Sequence, residues 1–174
     1  DARVVCTAPT KQQLHDVLWS EVAKWMNDSP LLQMLLKWTK TYVYVKGYEK
    51  RWFAVARTAT KPENMQGFHE DNMLFIVDEA SMISDTNSDS KLYENGSLLD
   101  DLISYVYSGK NCKMILLGDT AQLPPVNLDI SPALDIRTLG MNYDKEIEHI
   151  ELDEVMRQEE NSGILHNATE LREL

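Results

Sequence analysis

No Gly-x-x-x-x-Gly-Lys-Ser/Thr string occurs in the 174 residues, and none of the seven glycines belongs to a cluster able to cradle phosphate. Cysteine is scarce: Cys6 and Cys112 are the two present, which excludes a disulfide-stapled scaffold and predicts small buried thiols in a reducing cytoplasm. The four histidines, His15, His69, His149 and His166, lack metal-ligand spacing, so a structural zinc is not expected. No apolar run approaches the roughly 20 residues that span a bilayer, and no secretory pattern opens the chain. A membrane partner is therefore not expected. Positive charge is the scarcer sign, with 17 Lys and Arg against 28 Asp and Glu and a net charge of −11. That balance argues against a uniformly basic nucleic-acid surface.

What is present is a globular composition, 43% hydrophobic, enough for one sizeable core and a single domain. Its most informative stretch is Met73-Leu-Phe-Ile-Val77, five apolar residues that end in Asp78-Glu79. An apolar run without polar alternation suits a strand covered on both faces, as in a parallel α/β sheet. Such sheets bind ligands at the carboxyl ends of their strands. Paired carboxylates there fit nucleotide hydrolysis, with Asp78 holding Mg²⁺ through water and Glu79 orienting or deprotonating the attacking water. The competing account is a strand that merely exits into an acidic turn. A second apolar run, Lys113-Met-Ile-Leu-Leu117, weighs against it, because it too stops at a Gly and an acid, in Gly118-Asp-Thr-Ala-Gln-Leu-Pro-Pro-Val126. Gly118 allows a close turn, Gln122 offers an amide to a phosphate oxygen or a water, and Pro124-Pro125 stop the sheet.

These strings carry a resemblance. Asp78-Glu79-Ala80-Ser81-Met82-Ile83 resembles the Walker B motif of superfamily 1 DNA helicases, and 118–126 resembles their motif III. Leu152-Asp-Glu-Val-Met-Arg-Gln158 resembles the motif IV segment of the RecD-like branch, which implies that Arg157 reaches the γ-phosphate of ATP. In related sites such an arginine contributes roughly 10³–10⁵ in rate. The alternative for Arg157 is a surface salt bridge with Glu154 or Glu160. The front of the chain resembles a different DNA motor. Ala8-Pro-Thr-Lys-Gln-Gln13, Leu18-Trp-Ser-Glu21, Ala56-Arg-Thr-Ala-Thr-Lys-Pro-Glu63 and Gln66-Gly-Phe-His69 resemble the ATPase domain of phage terminase large subunits. Ala8-Pro9-Thr10 also resembles helicase motif Ia, which implies phosphate contacts to DNA at Thr10 and the neighbouring Lys11. The two resemblances meet at 78–81, a string both families share, as a chimera joined there or a divergent lineage would show.

Together they imply a RecA-like P-loop NTPase core: a parallel sheet with helices on both faces, using ATP and Mg²⁺. Asp78, Gly118, Asp119, Gln122 and Arg157 would surround the nucleotide, with Glu79, Gln122 and Arg157 catalytic and Asp119 supporting its loop. The parent is expected to be a RecD-like helicase translocating on single-stranded DNA in a prokaryotic or phage-infected cell. The alternatives are a terminase packaging ATPase and a non-catalytic nucleotide-binding or scaffold remnant. The chain is expected to be a fragment whose P-loop lies upstream and whose second motor domain lies downstream, so that alone it hydrolyses ATP barely or not at all.

Strands are predicted at 3–7, 41–46, 52–58, 73–77, 113–117 and 146–152, and helices at 11–26, 30–38, 63–68, 98–107 and 162–174, with a polar loop over 84–96. Leu14, Leu18, Val22 and Trp25 form the predicted core-facing stripe of the first helix. Between 37 and 61 lie Lys37, Lys40, Lys46, Lys50, Arg51, Arg57 and Lys61, interleaved with Trp38, Tyr42, Tyr44, Tyr48 and Trp52. That mixture suits phosphate contact with base stacking, or equally a β-hairpin whose aromatics pack on its own strands.

Overall fold

The computed structural model describes residues 1–58, 71–84 and 97–152. The helices expected at 63–68 and 162–174, Arg157, and nearly all of the 84–96 loop lie outside the described residues. By compactness the chain falls into two units, Asp1–Asp135 and Ile136–Leu174.

The first unit is built on a six-stranded sheet in the order β2-β3-β4-β1-β5-β6. Its parallel part joins β4 (Trp52–Ala56), β1 (Ala2–Thr7), β5 (Met73–Val77) and β6 (Lys113–Leu116), each in register with the next. These are the runs richest in Val, Ile, Leu and Phe, as strands buried on both faces require. Along β1, Val4 and Cys6 face the cluster that holds Leu14, Trp19 and Met26, with Ile76 of β5 packed beside them. Phe75 of β5 is fully buried and meets Tyr105 edge-to-face at 6.3 Å. Tyr105 belongs to α3 (Leu98–Val106), whose Leu99 and Val106 are buried. Ser97 caps this helix, its Oγ accepting the Asp100 amide at 3.1 Å and donating to the Asp100 carboxylate at 2.7 Å. The expected α/β core with a mostly parallel sheet is therefore present.

The helix after β1 departs from expectation in an informative way. Residues Gln13–Trp19 are π-helical before α1 (Ser20–Asp28) resumes the ordinary winding. A π stretch inserts extra chain into the turn, so the face beyond it rotates. The expected stripe of Leu18 and Trp25 therefore advances by one residue: Trp19 and Met26 are buried, Leu18 only packs at the margin, and Trp25 is 67% exposed. Ser20 Oγ donates to the carbonyls of Asp16 (2.7 Å) and Val17 (2.9 Å), the kind of back-bonding that disturbs helical winding.

A second departure lies at 30–38. Ser29 accepts the Leu32 amide and Pro30 opens α2 (Pro30–Leu35), as a helix start should. The helix stops at Leu36, and Leu36–Trp38 becomes β2, antiparallel to β3 (Tyr42–Val45), which in turn pairs antiparallel with β4. Cross-strand pairing of Leu36 with Val45 and Trp38 with Val43 prevails over the helical reading of the same apolar run.

The second unit is described from α4 (Ile136–Asn142), an element the sequence reading does not contain, to residue 152. The strand expected at 146–152 is not formed. Ile150 and Leu152 are 78% and 86% exposed, so these apolar residues lack the burial that a strand would give them. Among the described residues no helix is long and apolar enough to cross a membrane.

Candidate nucleotide site

Parallel register brings Thr7, Val77 and Leu116 level at the carboxyl end of the sheet. Whatever follows these residues must emerge at the same edge. After β1 comes Ala8-Pro9-Thr10, after β5 Asp78-Glu79, and after β6 Leu117-Gly118-Asp119. Backbone bonds continue the ladder past the strands: Asp78 N–H to Thr7 O at 2.8 Å and Leu117 N–H to Val77 O at 2.8 Å. Ala80 N–H then bonds back to Leu117 O at 2.7 Å, closing the two acidic loops against each other.

Side chains complete the join. Ser81 Oγ donates to Gln122 Oε1 at 3.1 Å, so the expected phosphate-sensing glutamine rests on the turn that follows Glu79. Asp119 supports its own loop, one carboxylate oxygen accepting the Ala121 amide at 2.9 Å and its carbonyl the Gln122 amide at 3.1 Å. Gly118 is needed for space. A Cβ there would lie 2.7 Å from Leu134 Cδ1 and 2.9 Å from the Ser81 amide nitrogen.

Glu79 sits at φ 56, ψ 41, the left-handed region that side chains other than glycine avoid. Non-glycine residues held there cost of order 1–3 kcal/mol and gather at functional sites, where surrounding structure maintains them. The maintaining contacts are visible: Asp78 Oδ1 accepts the Glu79 amide at 3.1 Å, and a 3₁₀ turn, Ala80–Met82, follows at once. Glu79→Gly should therefore be more stable than Glu79→Ala by about 1 kcal/mol, since only alanine retains the strained Cβ. Urea midpoints that rank the two variants the other way would contradict the strain.

Thr10 caps the helix that follows it. Its Oγ1 accepts the Gln13 amide at 3.1 Å and donates to Gln13 Oε1 at 2.8 Å. Gln13 Nε2 reaches Met82 Sδ at 3.9 Å, linking this loop to the turn beyond Glu79. Lys11 is exposed beside it. Thus Thr10, Asp78, Glu79, Gly118, Asp119 and Gln122 stand on loops at one sheet end, whereas Arg157 lies outside the described residues.

A further residue enters that the sequence reading passes over. Ser131 is 2% exposed, and its hydroxyl lies 2.8 Å from Ala80 O and 2.7 Å from Ile83 O, bracketing the turn after Glu79. The chain that leaves β6 at Gly118 thus returns to hold the turn after Glu79 from behind. A lone serine before Pro132 carries no local signal of this; only the tertiary contact reveals it.

Asp78 also acts on its neighbour. The Cys6 thiol is pushed from an ordinary 9.0 up to about 11, chiefly by burial and secondarily by the Asp78 charge. Its folded pKa exceeds the unfolded one, so the unfolded chain releases this proton first. The contribution of this thiol to stability should fall by about 1 kcal/mol per pH unit between pH 9 and 11, a slope that Cys6→Ala removes. Urea titrations at pH 8, 9 and 10 would check it; equal slopes in the two proteins would refute it.

The carboxylates offer hard oxygen donors. Among the described residues no group of three or more His, Cys, Asp or Glu side chains converges. Mg²⁺ is ordinarily held by one or two carboxylates together with phosphates and waters, so the pair at 78–79 fits that ion. The sequence pattern of the family described as AAA domain matches residues 1–173. The chain belongs to the AAA domain family. The match to this P-loop NTPase family, whose members generally use ATP and Mg²⁺, extends across 78–81, where the two resemblances meet. No curated protein and no solved structure matches the chain. An AAA domain assigns a nucleotide-dependent ATPase core and does not choose between helicase and terminase.

Proposed function

We propose that this AAA domain is the first motor domain of a RecD-like superfamily 1 DNA helicase, coupling ATP hydrolysis to movement along single-stranded DNA. The observation that carries the reading is the Ser81–Gln122 hydrogen bond, which ties the Walker B turn to the motif III loop at the carboxyl end of the sheet. Mg²⁺, when bound, neutralises phosphate charge and orients the triphosphate. Asp78 would hold it through water, and Glu79 would orient and deprotonate the attacking water. Gln122 would contact the γ-phosphate, and the motif IV resemblance gives Arg157 the role of adding positive charge there. Asp119 keeps the Gln122 amide in place. When phosphate leaves, Gln122 is free to reform or break its bond to Ser81, which makes the motif III loop the element that senses nucleotide state.

Phosphate binding needs a further segment. With no P-loop string in the sequence, the cradle of amides and its lysine would come from a strand–loop–helix unit outside it. Among the described residues β6 is the last strand of the sheet, and such an edge can accept a further strand. The packaging ATPase of a terminase is the second reading, favoured by the strings between 8 and 69.

The test is hydrolysis by a protein containing this chain together with its P-loop segment. Phosphate release stimulated by single-stranded DNA and abolished by Glu79→Gln supports the reading. Hydrolysis indifferent to Glu79→Gln sinks the site, and stimulation by duplex DNA alone favours the terminase. The chain by itself should release phosphate no faster than its Glu79→Gln variant.

A further inference from the structure

Charge is strongly segregated in this acidic protein. Residues 29–58 carry six basic side chains and one acid, Glu49, while the rest of the chain carries 11 basic and 27 acidic ones. The basic segment folds as α2 and the antiparallel meander β2-β3-β4 at one edge of the sheet. At the tip of the β3–β4 hairpin, Tyr48 and Trp52 stack face to face, centroids 5.1 Å apart and planes within 18°. Both remain about half exposed, at 49% and 47%.

The tip is held in shape before any ligand arrives. Gly47 turns the chain at φ 85, and Tyr48 O accepts the amides of Arg51 and Trp52, each at 2.9 Å. The acid of the hairpin itself is drawn onto the backbone: hydrogen bonds from the amides of Glu49 and then of Gly47, the latter to Glu49 Oε1 at 3.0 Å, hold its carboxyl below the usual range. Arg51 pairs with Asp1, and Lys46 Nζ donates to Gln33 O at 2.6 Å, so these cations are anchored beside the aromatics, with Lys50 also exposed there. Exposed aromatics usually retreat into a core; this pair instead presents ring faces flanked by positive charge. A hairpin needing only internal support would not require the surrounding excess of lysine and arginine.

We infer that the β3–β4 hairpin tip is a binding platform for single-stranded nucleic acid, with Tyr48 and Trp52 stacking on bases and Lys46, Lys50 and Arg51 meeting the phosphates. Aromatic stacking beside a basic track is how proteins hold single strands without reading their sequence. The surface is distinct from the nucleotide site: Trp52 is level with Ala2 at the start of β1, whereas Asp78 follows the far end of the same sheet. The inference does not depend on ATP binding and deepens the motor reading only by giving the polymer a second foothold.

The experiment measures fluorescence anisotropy of labelled dT20, rU20 and a 20-base-pair duplex with the nucleotide-free chain at 50 mM salt. Tyr48→Ala/Trp52→Ala should weaken single-strand binding about tenfold or more, and Trp25→Ala, an exposed aromatic on α1, should not. Lys50→Gln, which leaves the stack intact, should weaken it severalfold and lower the salt slope by about one phosphate contact. Preference for dT20 or for rU20 names the polymer, and equal binding means both; each supports the platform. No single-strand binding, duplex binding as tight as single-strand binding, or unchanged affinity in the aromatic and Lys50 variants would overturn it. Far-UV spectra of the variants separate a lost contact from a lost fold. Because no ATP is present, failure here leaves the hydrolysis reading untouched, and the reverse also holds.

Discussion

Trp19→Ala should lower the free energy of unfolding by about 3–5 kcal/mol. Trp19 is 2% exposed within the cluster of Cys6, Ala8, Leu14, Met26, Val43 and Ala56. Its indole N–H also donates to Thr39 O at 2.9 Å, binding the helix to the turn between β2 and β3. Truncation would empty a large volume and orphan that carbonyl together. Trp19→Phe retains most of the apolar volume but not the donor, and should lose about 1–2 kcal/mol. The decisive control is Trp25→Ala, which the uninterrupted helical stripe would make just as damaging. The π-helical insertion leaves Trp25 exposed, so its loss should change stability by less than about 0.5 kcal/mol. Urea unfolding followed by circular dichroism checks the set. Equal costs for Trp19 and Trp25 would mean the register shift is wrong.

Gly118→Val should cost about 3 kcal/mol and uncouple the two acidic loops. The added Cβ would meet Leu134 Cδ1 at 2.7 Å and the Ser81 amide nitrogen at 2.9 Å. Leu134 can rotate away, but Ser81 N is backbone, placed by Ala80 N–H on Leu117 O and bracketed by Ser131. The chain at 118 must therefore back away from 81, taking Gln122 off Ser81 Oγ. Gly118→Ala should show a smaller loss in the same direction. Urea midpoints read the cost, and amide hydrogen exchange at 80–83 reads the uncoupling. A valine variant with unchanged midpoint and unchanged exchange would show that the loops are not packed together.

Both results bear on one design feature. The loop that begins at Gly118 is attached to the turn after Glu79 through a part-buried side-chain bond, Ser81 to Gln122, and a buried one, Ser131 to Ala80 and Ile83. The first is partly exposed and so the easier to break; the second is sealed and fixes the turn in place.

Much of the core could be read directly from residue order. Continuous apolar runs at 3–7, 73–77 and 113–117 are strands because such runs need cover on both faces, and each is found within a residue or two of its expected bounds. The acids and the glycine that follow them were equally visible, since a strand must deliver its next residues to its own end. Three matters depended on distant contacts. The stripe at 14–25 slipped by one residue at the π-helical Gln13–Trp19, where Trp19 enters the core and bonds Thr39 O, and Leu36–Trp38 turned to strand because β3 offered it a partner. The meeting of Ser81 with Gln122, and the clasp by Ser131, came from β5 lying beside β6. Local periodicity records how a segment buries its own side chains; which strand becomes its neighbour is a property of the whole sheet.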